Sequence, residues 1–280
     1  MIFLILAIIC STSLGLILKH GRVKNSNTVL LINANYLTAS TIAFAFVIFK
    51  YGFNFSFQSL FFGLALGFLF VSTFILFSKS ISLAGTALAT VSARLSILIP
   101  VVLSIIFFSE SPNLKMLFGF VLALITLYLF YLSLKNHNAH LEAGNKYLYL
   151  FLLLVGIGFV DFAMKLFEHN FPKDEKGLFV FTIFGSAFIY TSTYLKVKNI
   201  KFDAGTYQLG LLLGIPNVLA IHFLLAALGE LPAIIVFPIQ NIGVIVLTAI
   251  AAYIFWKEQI NLYGKIALAV GIAAILLLKL

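Results

Sequence analysis

The chain has 280 residues, of which 62% are hydrophobic and only 10% charged, and its mean hydropathy is +1.12. So few polar residues cannot coat a water-soluble surface, which excludes a soluble globular domain and indicates an integral membrane protein. The net charge is +9, and the basic residues are scattered over the ends of apolar segments. This distribution is typical of contact with lipid headgroups and argues against nucleic-acid binding. The single cysteine, Cys10, excludes an internal disulfide.

Ten apolar segments follow one another along the chain. A helix needs about 20 residues to cross a hydrocarbon core, and these runs are long and unbroken, so they predict helices and not barrel strands. The first segment lacks a basic start and a cleavage site, so we interpret it as a retained span. The predicted spans are residues 2–18, 28–49, 57–77, 83–108, 114–134, 146–167, 177–195, 204–228, 232–256 and 260–280.

The two halves of the chain resemble each other. Residues 63–67, GLALG, recur 147 positions later as residues 210–214, GLLLG, and Lys19 corresponds to Lys165 at an offset of 146. The longest polar stretch lies midway, so we predict a first five-helix repeat at residues 1–136, a loop at 137–145 and a second repeat at 146–280. Because five is odd, the second repeat enters the bilayer from the opposite side, which gives the inverted-repeat architecture of many transporters.

A charged residue in the fourth span is the first candidate for a binding site. A charge at the bilayer centre costs about 2.5–3.5 kcal/mol, so Arg94 is a site candidate by default. At the offset of 147 its counterpart is Asn241, which lies beside Gln240 midway along the ninth span. The two repeats therefore predict a substrate site near the midplane, and the alternative is that Arg94 caps carbonyls freed by Pro100 or pairs with Asp161.

The sixth span carries a carboxylate and an ammonium one helical turn apart. Asp161 and Lys165 share one face of the helix, so an ion pair between them is predicted. The pair would be either structural or functional. In the functional interpretation Asp161 takes up and releases a proton, and Lys165 attracts substrate with Lys19 as its repeat partner.

Neutral polar residues form a third group of candidates. Asn33 and Asn35 differ by two positions, so their side chains point about 160° apart and cannot line one surface. One of the two is expected to bond between helices. Asn33, Tyr36 and Asn217 are kept as candidate substrate ligands, and His222 is either a second proton carrier or a hydrogen bonder between helices.

Several common chemistries leave no trace in the sequence. There is no phosphate-binding glycine loop, zinc-protease motif, nucleophile elbow or carboxylate cluster, so we expect no cofactor, no metal and no enzymatic activity.

The distribution of basic residues predicts the orientation in the membrane. With Arg94 left out because it lies within a span, eleven Lys and Arg residues lie on the side of the odd-numbered loops and six on the side of the termini. Because basic residues favour the cytoplasmic side, this count predicts termini outside the cytoplasm.

The ends of the two halves carry the motifs of a known family. Each half closes with an apolar helix, a turn containing Glu, and a last helix containing Gly: 100–108, Glu110, Pro112 and Gly119 in the first, and 254–258, Gly264 and Gly271 in the second. This pattern resembles the drug/metabolite transporter superfamily, in its ten-helix EamA-type branch. The resemblance implies a cavity lined by the first, third and fourth helices of each half, in which Arg94, Gln240 and Asn241 meet substrate and Lys19 and Lys165 flank it. It also implies cytoplasmic termini, contrary to the charge count.

The expected function is therefore secondary transport, by alternating access, of a small polar or zwitterionic metabolite such as an amino acid. The resemblance implies export as the direction of transport. We expect the protein in a bacterial inner (cytoplasmic) membrane, as a monomer or homodimer, with protons as a candidate coupling ion. The alternatives are a lipid-headgroup flippase, an accessory membrane subunit, or a nucleotide-sugar or phosphometabolite antiporter. The antiporter is disfavoured because Gln240 and Asn241 stand where phosphate-carrying relatives have bases. A membrane enzyme would need Asp161 and His222 as its reactive pair, which no motif supports.

Overall fold

The structure, a computed structural model, describes residues 1–23, 27–54, 56–135, 145–256 and 261–279. These residues form ten α-helices with a π-helical turn at Val47–Tyr51, a 3-10 turn at Lys173–Glu175 and no strand, so the predicted all-α class is confirmed. The helices are α1 (Ile2–Val23), α2 (Thr28–Phe46), α3 (Phe57–Leu95), α4 (Leu98–Phe108), α5 (Leu114–Lys135), α6 (Lys146–Asn170), α7 (Lys176–Val197), α8 (Ala204–Leu228), α9 (Ala233–Trp256) and α10 (Leu262–Lys279).

The helices have the length and composition of membrane spans. Within the described ranges, eight helical segments of 20 to 25 residues are apolar enough to cross a bilayer, and two further apolar helices, Ile2–Ile17 and Leu262–Leu278, are shorter. The protein is therefore a multi-pass helical membrane protein. The predicted loop between the repeats falls almost wholly at residues 136–144, outside the described residues.

One predicted interruption of a helix is absent. The third and fourth spans were expected to separate at residues 78–82, but the backbone stays helical through Phe57–Leu95 and breaks only at Ser96 and Ile97. The break precedes Pro100, whose missing N–H leaves the Ser96 carbonyl without its helical donor. Helix α3 would be about 58 Å long if straight, roughly twice the hydrocarbon thickness. Two candidate spans, Phe57–Ile81 and Leu88–Phe108, are thus joined without a break at residues 78–82.

Two helices begin at polar caps that the sequence encodes locally. The Asn27 side chain accepts hydrogen bonds from the backbone N–H groups of Val29 and Leu30 at the start of α2. The Asp203 carboxylate accepts from the Thr206 N–H at 2.7 Å at the start of α8. Hydrogen bonds from Thr206 hold the pKa of the Asp203 carboxyl below its usual range. Both caps satisfy N–H groups that a helix start leaves open.

The chain divides into two compact units. The first unit comprises Met1, Ser72–Lys165 and Glu230–Leu280, and the second comprises Ile2–Val71 and Leu166–Gly229. Each unit takes segments from both predicted repeats. The boundaries of the compact units therefore do not coincide with the boundaries of the predicted repeats.

In the second unit, α2 packs against α7 and α8. The Asn33 side chain bonds Thr191 at 3.0 Å, whereas the Phe44 ring lies 5.1 Å from the Phe181 ring. Residue numbers rise along α2 while those of its contacts on α7 fall. Helices α2 and α7 therefore run antiparallel.

Glycines let two other helix pairs of the second unit approach closely. A Cβ atom on Gly67 of α3 would lie 2.6 Å from the Ile183 carbonyl oxygen of α7, and one on Gly214 of α8 would lie 2.6 Å from the Asn35 carbonyl oxygen of α2. Gly67 and Gly214 are 147 positions apart, and Asn35 and Ile183 are 148 apart. The same backbone-to-backbone contact therefore occurs twice, at almost the same offset.

In the first unit, α5 packs along α10. A Cβ atom on Gly119 would lie 2.8 Å from Leu278 Cγ, and one on Gly271 would lie 3.0 Å from Thr126 Cγ2. Numbers again rise on one helix and fall on the other, so α5 and α10 are antiparallel. Small residues at such contacts are typical of membrane helices, whose association depends on close packing.

The glycine contacts lead to a prediction about stability. Gly67→Leu and Gly214→Leu should each destabilise the protein by about 1–3 kcal/mol, because the new side chain must push two helix backbones apart. Thermal unfolding in detergent measures the loss. The matched control is Gly15→Leu, since a Cβ atom there meets no heavy atom within 4 Å. Equal losses for all three variants would contradict the packing interpretation.

Candidate functional site

Three of the predicted site residues lie together in the first unit. Arg94 is the second-last residue of α3, and its Nη1 donates to Asn241 Oδ1 of α9 at 3.0 Å. Asn241 is buried and donates in turn to the Phe237 carbonyl at 3.0 Å. The Asp161 carboxylate of α6 interacts electrostatically with the Arg94 guanidinium. A cation of α3 and an amide of α9 thus form a bonded polar cluster, and the opposite charge of Asp161 on α6 acts on the same guanidinium.

The Arg94 guanidinium interacts with two other helices. It donates to the Asn241 side chain of α9, 147 positions away, and it attracts the Asp161 carboxylate of α6 electrostatically. Gln240 precedes Asn241 on α9 and is half-buried. The contact with α9 is therefore a side-chain hydrogen bond, and the interaction with Asp161 is an attraction between opposite charges.

The predicted ion pair between Asp161 and Lys165 is wrong. Among the residues that the structure describes, the Lys165 ammonium pairs with Glu110, with Nζ 2.9 Å from Oε1. Both side chains are only 11% exposed. The physical reason is that Glu110, whose side chain is longer than that of Asp161, reaches Lys165 from the turn after α4.

Glu110 was not among the predicted site residues. Its carboxylate also accepts from the backbone N–H groups of Ala233 at 2.9 Å and Ile234 at 3.4 Å, the first residues of α9. A helix start carries unpaired N–H groups and a partial positive charge, which favour a carboxylate there. Ser109, with a left-handed φ of 52°, ends α4 just before Glu110. The available signal was the Glu in the turn after an apolar span, but its partner lies 123 residues away.

The same contacts give the direction of α4 relative to α9. Arg94, before α4, contacts Asn241 inside α9, whereas Glu110, after α4, contacts Ala233 at the start of α9. The two segments therefore run antiparallel and are joined by polar bonds at two levels.

In the second unit, the two asparagines of α2 bond to different helices. Asn33 Nδ2 donates to Thr191 Oγ1 at 3.0 Å and Ser192 Oγ at 2.8 Å on α7. Asn35 Oδ1 accepts from Asn217 Nδ2 of α8 at 3.0 Å. The prediction that they cannot line one surface is confirmed, and both bond between helices. In this structure Asn33, Asn35 and Asn217 therefore act as links between helices.

The remaining candidates also belong to the second unit. Tyr36 is buried, with its ring 6.2 Å from that of Phe184. The His222 ring stacks on Phe46 at 5.0 Å. Lys19 lies within α1, but its side chain is outside the part that the structure describes. The Arg94 cluster, by contrast, belongs to the first unit. Within the described ranges, no group of three His, Cys, Asp or Glu side chains could hold a metal ion.

The fold and the polar cluster define a multi-pass helical membrane protein with charged groups inside its spans. No protein-family model matches the sequence. The chain is 30% identical over 285 residues to an uncharacterized protein of Haemophilus influenzae, covering 97% of this chain and 95% of that protein, and it belongs to the same family as that protein. It also matches a solved crystal structure with a TM-score of 0.80 over 100% of this chain and 97% of the other, at 14% identity, which shows similarity of fold.

The contacts of Asn33 lead to a prediction about stability. Asn33→Ala should lower the free energy of unfolding by about 1 kcal/mol, because the Thr191 and Ser192 hydroxyls lose a donor between helices. The control is Thr193→Ala on the exposed side of α7, where the hydroxyl bonds only the Ile189 carbonyl of its own helix. Thermal unfolding of both variants compares them, and a loss no larger than that of the control would argue against the link.

Proposed function

We propose that the protein is a secondary transporter built from two inverted five-helix repeats with ten crossings, of the kind that the resemblance to EamA-type transporters implies. The shorter apolar helices Ile2–Ile17 and Leu262–Leu278 serve as the first and tenth crossings. Phe57–Ile81 and Leu88–Phe108 count as the third and fourth crossings, so the proposal requires the chain to reverse direction between them, within the helix Phe57–Leu95. Support comes from the directions of equivalent helices. The pairs α2 with α7, α4 with α9 and α5 with α10 each run antiparallel, which is what two copies inserted from opposite sides require.

The doubled glycine contact supports the same proposal. A duplication with two-fold symmetry predicts each contact twice, with the repeats exchanged. Gly67 of the first repeat packs on α7 of the second, and Gly214 of the second repeat packs on α2 of the first. Two unrelated halves would have no reason to reproduce this exchange at matched positions.

The observation that carries the functional proposal is the bond between Arg94 and Asn241. These residues are 147 positions apart, so each occupies the equivalent place in its repeat. A residue that touches its own counterpart lies near the axis relating the repeats. In inverted-repeat transporters that axis lies in the membrane plane, and the substrate site is close to it. We therefore assign Arg94, Asn241 and the adjacent Gln240 to substrate binding.

The charges of the cluster favour a zwitterionic substrate such as an amino acid. The planar guanidinium of Arg94 suits a carboxylate, and the Asp161 carboxylate, which attracts this guanidinium, suits an ammonium group. A phosphometabolite fits less well, because Asp161 and the neutral side chain of Asn241 stand where further cations are needed. By the family resemblance the direction is export across a bacterial inner membrane, with Asp161 as the candidate proton carrier.

The proposal predicts that Arg94→Ala lowers substrate flux at least tenfold in liposomes, because each 1.4 kcal/mol of lost binding changes an equilibrium constant tenfold. The assay uses a panel of radiolabelled amino acids, nucleosides and phosphorylated sugars, with and without a pH gradient. Asn241→Ala should reduce flux of the same substrate.

The control for charge removal is Lys115→Ala, an exposed lysine at the start of α5. It should transport like the unaltered protein. Thermal unfolding of each variant is measured in parallel. If Arg94→Ala lowers the yield of folded protein but the folded fraction transports as fast as the unaltered protein, the role of Arg94 is purely structural.

A further prediction concerns Asp161. Asp161→Asn keeps the shape of the side chain but cannot exchange a proton, so transport should become insensitive to the imposed pH gradient. Counterflow exchange, which needs no gradient, should persist. An unaltered response to the pH gradient would remove Asp161 from the coupling role.

A further inference from the structure

Glu110 connects three helices at one end of the first unit. It follows α4, pairs with Lys165 of α6 at 2.9 Å, and caps the start of α9 through Ala233 and Ile234. The Lys165 ammonium also lies 5.9 Å from the centre of the Phe108 ring. A single carboxylate thus holds the end of α4 against two segments of the second repeat.

This arrangement is strongly coupled in physical terms. Burying a charge is costly, and removing one partner of a buried pair leaves the other uncompensated. Here both ions are almost fully enclosed, and the carboxylate is shared between an ammonium and the positive end of a helix. Loss of either partner therefore leaves a buried charge without compensation, so the bonds of Glu110 are energetically coupled.

The contact also controls the helix that bears the candidate substrate ligand. Asn241 lies eight residues after Ala233, or about 12 Å along α9 at 1.5 Å per residue. Arg94 and Glu110 hold α9 at these two levels. A path between α4 and α9 from the Glu110 end to Asn241 is closed as long as Glu110 holds the start of α9.

We propose that Glu110, Lys165 and the first N–H groups of α9 form a gate that closes the Glu110 end of the transport path, an inference that rests on the proposed transport function. In this structure the gate is closed. During transport, separation of Glu110 from Lys165 and α9 opens the path to that side. Glu110 is a positioning residue, because it acts through α9 and not through contact with substrate.

Side-specific labelling tests the gate without a substrate. The only native cysteine is Cys10, so Cys10→Ser with Gln240→Cys gives a protein with a single thiol beside Asn241. In sealed vesicles of either orientation, a membrane-impermeant maleimide reports access to position 240 from each side. Labelling of Ser111→Cys, in the exposed turn after Glu110, identifies the Glu110 side.

In the single-thiol protein, Lys165→Met should speed maleimide labelling of position 240 from the Glu110 side about tenfold. It should slow labelling from the other side. The reason is that the buried charge of Glu110 loses its partner, which favours the open gate. Glu110→Gln keeps an oxygen for the α9 N–H groups but loses the charge, so it should shift labelling in the same direction by less. The control is Lys115→Met, which changes an exposed lysine five positions after Glu110 in the sequence and should leave both labelling rates unchanged.

Unchanged labelling rates on both sides in folded Lys165→Met would overturn the gate and leave Glu110 as a static brace. If Glu110 is only a static brace, Lys165→Met should lower the thermal stability without changing the labelling rate from either side of the membrane. Substrate flux, measured in separate vesicles of protein that keeps Gln240, with and without Lys165→Met, separates the two proposals. Flux without a labelling shift rejects the gate and retains the transporter, whereas a labelling shift without flux of any tested substrate retains the gate and rejects the assigned transport.

Discussion

A polar side chain inside a lipid bilayer has no water to bond, and the polar contacts of this protein follow from that constraint. Asn33 and Asn35 of one helix find partners on two different neighbours. Arg94 bonds an amide of α9, and Glu110 satisfies both an ammonium and a helix start. Each of these bonds holds two helices at a defined register. The groups that are costly to bury are thereby the ones that specify which helices meet.

Close backbone packing complements the polar bonds. Lipid tails are as apolar as the helices, so association depends on how closely the helices approach, and glycines permit that approach. Gly67 and Gly214 place helix backbones against one another at positions 147 residues apart. The polar bond at the same offset joins two different residues, because Arg94 meets Asn241. The glycine contact thus recurs in both halves of the chain, whereas the proposed chemistry depends on residues that differ between the halves.

Some of the site could be predicted because its signals are local. An arginine within an apolar span stands out whatever surrounds it, and the offset between the repeats leads directly to Asn241. Two predictions failed, one because it required knowledge of spatial neighbours and one because a local signal for a break is missing. Lys165 was assigned to the carboxylate nearest along its own helix, but Glu110 reaches it from the end of α4. The predicted break after residue 77 lacks a proline, and the helix continues to Leu95.

The sequence by itself determined that this is an all-helical membrane protein, where most of its spans lie, and which residues carry polar groups into them. These properties depend on segment length and composition, which are local. Only the tertiary structure decided the partner of each polar group, because Arg94 and Asn241 are 147 residues apart and Glu110 and Ala233 are 123 apart. Contacts across such distances depend on the packing of whole helices, which the order of residues in any one span does not specify.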